Sequence, residues 1–171
     1  MFVWAAAEAV ALPLIPEFLL IPLAAGNRRR FYLPLAASVA GMAVGGAAIY
    51  LFAYSAPVQA GAYLAQLPLL GHGVYRVQAQ FSEHGGAAFV YQPLSGIPFK
   101  IWAVVAGARG ISPSRAIPTF VIARGLRMTA FATLARVAAG LFTNSLRDYS
   151  LVVLAIYLAV FFLAWWKIVT S

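Results

Sequence analysis

The run from Gln92 to Gly107 limits what this chain can become. It reads Gln92-Pro93-Leu94-Ser95-Gly96-Ile97-Pro98-Phe99-Lys100 and continues Ile101-Trp102-Ala103-Val104-Val105-Ala106-Gly107. Its surroundings are apolar, yet the run holds two prolines, two glycines, a glutamine, a serine and a lysine. In hydrocarbon an unpaired backbone group is costly, so a helix breaks at membrane depth only where protein or a water-filled cavity shelters the break. A sheltered break that carries a cation is a candidate site, not a plain anchor. A similar run lies near the start, from Pro13-Leu14-Ile15-Pro16-Glu17-Phe18-Leu19-Leu20 to Gly26.

Composition makes membrane depth the relevant setting. Of the 171 residues, 63% are hydrophobic and 9% charged, against about 25% charged in soluble domains. This inventory predicts an all-α integral membrane protein of one domain. The formal charge of +8 suits anionic lipid surfaces and anionic substrates. The arginines are scattered between apolar segments and form no basic helix or arm, so nucleic acid is not an expected partner. With no cysteine there is no disulfide framework or thiolate site. Two histidines, His72 and His84, argue against a metal centre, and no cofactor is expected. Met1 leads into Phe2-Val3-Trp4 without the basic region of a cleaved signal peptide.

Residues 2–26 are apolar enough for one span, but Glu8, Glu17, Pro13, Pro16 and Pro22 interrupt them. Pro13 and Pro16 each remove a backbone donor and clash with the preceding turn. A kinked span is one reading. A re-entrant hairpin over 2–26 is favoured, because a lipid-facing span poorly tolerates two carboxylates and three prolines. Asn27-Arg28-Arg29-Arg30 marks a boundary. Residues 31–55 form a clean span, about 20 residues being enough to cross. Within it Gly41-Met42-Ala43-Val44-Gly45-Gly46 is a small-residue face, as ready to pack inside a bundle as between subunits.

Residues 56–83 turn polar and predict an interfacial segment of two short helices split at Gly71–Gly73. Leu64, Leu67 and Leu70 share one helical face, as do Val74 and Phe81; His72 and His84 read as interfacial polar residues. Residues 84–110 hold the second broken segment, a second re-entrant hairpin. Ser112 or Ser114 can cap a span over 116–142, which carries Arg124, Arg127 and Arg136. A last span over 149–169 ends in the belt Trp165-Trp166-Lys167.

The two broken segments align. Pro-Leu-Ile-Pro-Glu-Phe from Pro13 ends in Ala24-Ala25-Gly26; Pro-Leu from Pro93, two inserted residues, then Ile-Pro-Phe-Lys ends in Val105-Ala106-Gly107. The breaks are placed at Pro13 and Pro16 in the first, and at Pro93, Gly96 and Pro98 in the second. One span separates them, so a hairpin-plus-span unit repeated once enters from opposite faces. That is the inverted-repeat plan of secondary transporters, whose broken helices meet near the midplane. If the breaks meet, Glu8 and Glu17 face Lys100, with Arg124 and Arg127 on a shared helix face close by. Lys100, Arg124 and Arg127 are then the substrate-binding candidates, and Glu17 and Glu8 the proton-coupling or ion-pair candidates. The plain alternatives are snorkelling for Arg127 and Arg136 and a bundle-holding salt bridge for Arg124.

At these residues the chain resembles the DedA family, also called the VTT or SNARE-associated family, in its YqaA-like branch. The likeness rests on Pro13–Glu17 with Ala-Ala-Gly, on Pro93–Lys100 with Ala106-Gly107, and on Arg124-Gly125-Leu126-Arg127. It covers about residues 8–140. The resemblance implies two oppositely oriented re-entrant hairpins with associated spans in a bacterial inner membrane. It also implies flipping or scrambling of lipids, polyprenyl phosphates among them, or a part in envelope integrity. It points to an acidic residue in the first hairpin (Glu17, or Glu8) and to arginines after the second (Arg124, Arg127) as functional. Lys100 stands where the stricter family motif has a Gly-Arg-Phe-x-Pro-x-x-Arg run, and the chain begins almost directly at the first hairpin.

The expectation is a non-enzymatic transporter, a flippase or scramblase for an anionic phosphate-bearing lipid. Fork-shaped guanidinium donors suit phosphate oxygens. The alternative is a non-transporting scaffold or envelope-integrity factor. An intramembrane enzyme lacks support, with no paired aspartates, no serine beside a histidine and no metal-ligand spacing; Ser95 reads as a backbone hydrogen-bond partner at the break. Arg28, Arg29, Arg30 and Arg147 fall on one side and Arg76, Arg109, Arg115 and Lys167 on the other, so charge leaves both orientations open. Oligomeric state is not legible.

Overall fold

In the computed structural model, which describes residues 1–10, 16–26, 31–66, 71–141 and 159, every regular element is a helix. The order is α1 (Phe2–Val10), α2 (Glu17–Gly26), α3 (Tyr32–Ser55), α4 (Pro57–Ala65), α5 (Gly71–His84), a 3₁₀ helix (Gly85–Leu94), α6 (Phe99–Ala108) and α7 (Pro113–Leu141). Among the described residues one helix, α3, is long and apolar enough to cross a membrane. The expected span over 116–142 falls on α7, one continuous helix that begins slightly earlier. The expected break at Pro13, the Arg28–Arg30 boundary and the span over 149–169 lie outside the described residues.

Proline chemistry and small turns set the element ends. At the start of α2 the Pro16 carbonyl accepts from Leu19 and Leu20 N–H, at 3.1 and 3.0 Å. Glu17 then places its carboxylate in the first turn, where the helix dipole favours it. In the second break Ser95 Oγ donates to the Gln92 carbonyl (2.9 Å) and accepts from Ile97 N–H (3.1 Å). Gly96 turns the chain at φ +68°, a conformation that a side chain disfavours. Pro98 then opens α6.

The expected interfacial segment forms two helices, but they divide before Gly71, not at Gly71–Gly73. A Cβ on Gly73 would lie 3.1 Å from the Ile101 side chain and 3.3 Å from that of Ile97. Gly73 thus lets α5 approach α6, and a backbone needed for close approach stays helical. Of the two expected faces, Leu64 and Phe81 are buried and Val74 is half-buried; Leu67 and Leu70 lie outside the described residues.

Small residues also fix how the long helices align. A Cβ on Gly41 would run into the Phe2 carbonyl, and one on Gly45 into the Ala6 carbonyl. Position 2 therefore meets 41 and position 6 meets 45, so α1 and α3 run parallel. A single unbroken rod over 2–26 would bring α3 back antiparallel to α1, whereas the two described helices run parallel. The second break behaves likewise. Gly46 meets the Phe99 ring and Gly107 meets the Tyr50 carbonyl, so α6 runs with α3. Phe89 lies against Phe120, with ring centroids 5.7 Å apart, and the Pro93 carbonyl meets Arg127, so the 3₁₀ helix runs with α7. Gly125 faces Val39 while Phe120 faces Gly46 and Tyr50, which makes α3 and α7 antiparallel.

These contacts exchange under a swap of the two halves. The first helix of each broken segment lies on the long helix that follows it: α1 on α3, the 3₁₀ helix on α7. The second lies on the other long helix: α2 on α7, α6 on α3. At the centre is α6, buried from Phe99 through Gly107 on every side, as expected of a helix apolar all round. Phe81, Phe89, Phe99, Trp102 and Phe120 form a connected aromatic core, with Phe99 and Phe120 centroids 5.1 Å apart. Tyr50 donates to the Ile111 carbonyl, and Tyr63 to the Val10 carbonyl at the end of α1.

Gly45→Leu should force α1 away from α3 and lower thermal stability in detergent, overpacking of this kind costing about 1–3 kcal/mol. Gly61→Leu, where a Cβ meets nothing within 4 Å, should leave the melting temperature unchanged. Parallel melts of the two variants check the contrast.

Candidate functional site: a buried charge cluster between two helix breaks

The two breaks meet halfway along α3 and α7. Glu8 lies near the end of α1, Glu17 opens α2, Lys100 opens α6, and Arg124 and Arg127 lie one turn apart on α7. Glu8, Glu17, Lys100 and Arg124 are all buried. Arg124 Nη2 donates to Glu8 Oε2 at 3.0 Å, with side chains only 4% and 9% exposed. Its guanidinium also sits 4.9 Å from the Phe99 ring centroid, a cation–π contact that gains strength away from water.

Arg127 makes a different kind of contact. Its Nε lies 3.0 Å from Glu17 Oε1, and its side chain is 23% exposed against 5% for Glu17. Its Nη1 donates to the Pro93 carbonyl at 3.2 Å. One guanidinium thus bridges a carboxylate from the first broken segment and a backbone acceptor from the second. The Glu17 contact is one of charge, not direction: among the described residues neither Glu17 oxygen nor Arg127 Nε makes a hydrogen bond. Among the described residues the side-chain amide oxygen of Gln92 (Oε1) and Arg124 Nε, both buried, also lack a hydrogen-bond partner.

Lys100 is engaged within the protein and attracted by the Glu8 carboxylate. It stands in the first turn of α6, where the positive end of the helix disfavours a cation. Three cations against two carboxylates leave this cluster with one excess positive charge when all five groups are ionised. A buried cluster with surplus positive charge and unused donor capacity can accept an anion. Among the described residues, no group of three His, Asp or Glu side chains could hold a metal ion.

All five charged candidates named from the sequence therefore fall in one cluster. Pro16, Pro93, Gly96 and Pro98 sit at the two breaks, with Pro16 buried and Pro13 outside the described residues. The pairing is specific: Glu8 with Arg124 and Glu17 with Arg127. Arg136 stands apart on α7, stacked 4.6 Å from the Phe31 ring centroid. His84 lies at the surface, 5.0 Å from Tyr91 ring to ring. Sequence reasoning gave no role to Gln92, Phe99 or the Pro93 carbonyl. Gln92 could have been found as the one amide inside the broken run, and Phe99 as the aromatic next to Lys100. The carbonyl carries no residue signal at all.

No family model, no curated protein and no solved structure matches this chain.

Removing one member of the Arg124–Glu8 pair leaves a buried charge uncompensated, at a cost of about 3–5 kcal/mol. Glu8→Leu and Arg124→Leu should each destabilise strongly, and the double variant should regain part of the loss. A double-mutant cycle on detergent melts checks this, and strict additivity would contradict the pairing.

Proposed function

We propose that this chain is an integral membrane protein of the DedA kind, an inverted repeat of two re-entrant hairpins with their spans, which moves a phosphate-bearing lipid between leaflets. The observation that carries this reading is the buried, net-positive cluster held where two helix breaks meet, halfway along two antiparallel long helices. Secondary transporters bind substrate in such a place, near the bilayer midplane between inverted repeats. Ionisable groups at that depth are costly and mark substrate or ion pathways. The exchange-symmetric contacts and the parallel run of α1 with α3 supply the geometry that two opposed hairpins require.

In this reading the phosphate takes the place of a carboxylate as partner of Arg127, with Lys100 and Arg124 behind it. Charge-assisted, two-pronged bonds from guanidinium to phosphate offset the lost ion pair. The amino end of α6 adds partial positive charge at the same place. Glu17, released from Arg127, carries a coupling proton or holds the cation until the next headgroup arrives. The scaffold reading draws on the Arg124–Glu8 pair, whose near-complete burial would serve equally to hold a bundle together.

Reconstituted wild-type protein should equilibrate a labelled polyprenyl phosphate or phospholipid across vesicle membranes. Glu17→Gln and Lys100→Met should each slow that movement at least tenfold in protein whose melting curve shows that it still folds. Wild-type rates from both variants would return the cluster to a scaffolding role.

A further inference from the structure

A groove of about 760 Å³ runs along the outer side of the second break, between the 3₁₀ helix and α7. One wall is the row Ile122, Leu126 and Ala130, four residues apart and so aligned along one helix face. The other is Val90, Pro93 and Leu94. Leu94 and Leu126 are 93% and 67% exposed, so the groove opens outward. The one charged side chain among its described lining residues is Arg127. That guanidinium reaches two environments at once, the buried Glu17 on the inside and the groove on the outside. Arg124, almost wholly buried, does not line it.

A row of apolar side chains on α7 facing an apolar segment makes a channel suited to a hydrocarbon chain. A cation set in an apolar channel fits a molecule with an anionic end and a long apolar tail. The contact between Arg127 and Glu17 is the more exposed of the two ion pairs and lacks directed hydrogen bonds, whereas Arg124–Glu8 is buried and hydrogen-bonded. The more exposed pair is the one an incoming anion can replace.

We propose that this groove is the lateral portal of the site. It seats one hydrocarbon chain of a phosphate-bearing lipid, with the headgroup on Arg127, while Arg124–Glu8 stays closed as a pivot. The purpose assigned to the groove rests on the transport reading; its occupancy does not, and the two are measured separately.

The probe is phosphatidic acid with a photoactivatable diazirine midway along one acyl chain, incorporated into vesicles with the full-length protein. Adducts should concentrate on residues 90–94 and 122–131 and fall at least tenfold with excess unlabelled phosphatidic acid. Diacylglycerol with the same chains should compete poorly. Ala130→Trp should abolish the adducts by filling the groove, and Leu126→Trp, at another exposed lining position, should do the same if Ala130→Trp does not fold. Val44→Trp on the outer face of α3 should leave them intact. Equal competition by diacylglycerol, competition by inorganic phosphate alone, or adducts unchanged in the folded tryptophan variants would each overturn the portal. Lipid movement in the same vesicles decides the transport reading independently: a wild-type protein that binds as described but moves no lipid sustains the groove and removes the carrier.

Discussion

Arg127 is held by a carboxylate from one broken segment and a backbone carbonyl from the other, and that double contact joins the two halves at the site. A helix interrupted by proline releases backbone acceptors that have no partner inside the helix. Away from water, those acceptors and any nearby charges must find partners within the protein. Here each break supplies what the other lacks. The second offers the Pro93 carbonyl and the Lys100 cation, the first offers two carboxylates, and α7 brings two guanidinium groups to the join.

The price of this solution is concentrated burial of charge. Burying an ion pair gains little net stability, because desolvation offsets most of the attraction, while breaking one is expensive. Five ionisable groups at one place are therefore a poor way to strengthen a bundle that already has an aromatic core and close glycine contacts. The cluster also conflicts with local preference, since Lys100 opposes the dipole of α6. Conflicts between local preference and global structure tend to mark working sites.

Much of this was legible in the residues, and for physical reasons. Proline and glycine clustered inside apolar runs signal backbone breaks, so Pro16, Pro93, Gly96 and Pro98 could be named, although Pro22 and Pro118 sit within the continuous helices α2 and α7. Charged residues at such breaks are few enough that Glu8, Glu17, Lys100, Arg124 and Arg127 could be named together. What the residues could not convey was pairing. Whether Arg124 meets Glu8 or Glu17 depends on the rotation of α7 against two separate short helices, and neither composition nor spacing encodes it. Gly73 shows the opposite error. Glycine both breaks helices and lets them approach, and only the presence of Ile97 and Ile101 beside it distinguishes the two uses. The Pro93 carbonyl belongs to the backbone, so no side chain announces it.

The enclosure of α6 has a consequence for how the chain matures. At about 1.5 Å per residue its ten residues span only half the thickness of a bilayer's hydrocarbon layer, and with Phe99 to Gly107 buried they keep no outward surface of their own. Such a segment has nothing to stabilise it until α3, α4 and α5, all made before it, are in place to receive it, and α7, made afterwards, closes over its Phe99 end through Phe120 and Arg124. During synthesis α6 can therefore seat itself against helices already made, and only its amino end waits for α7.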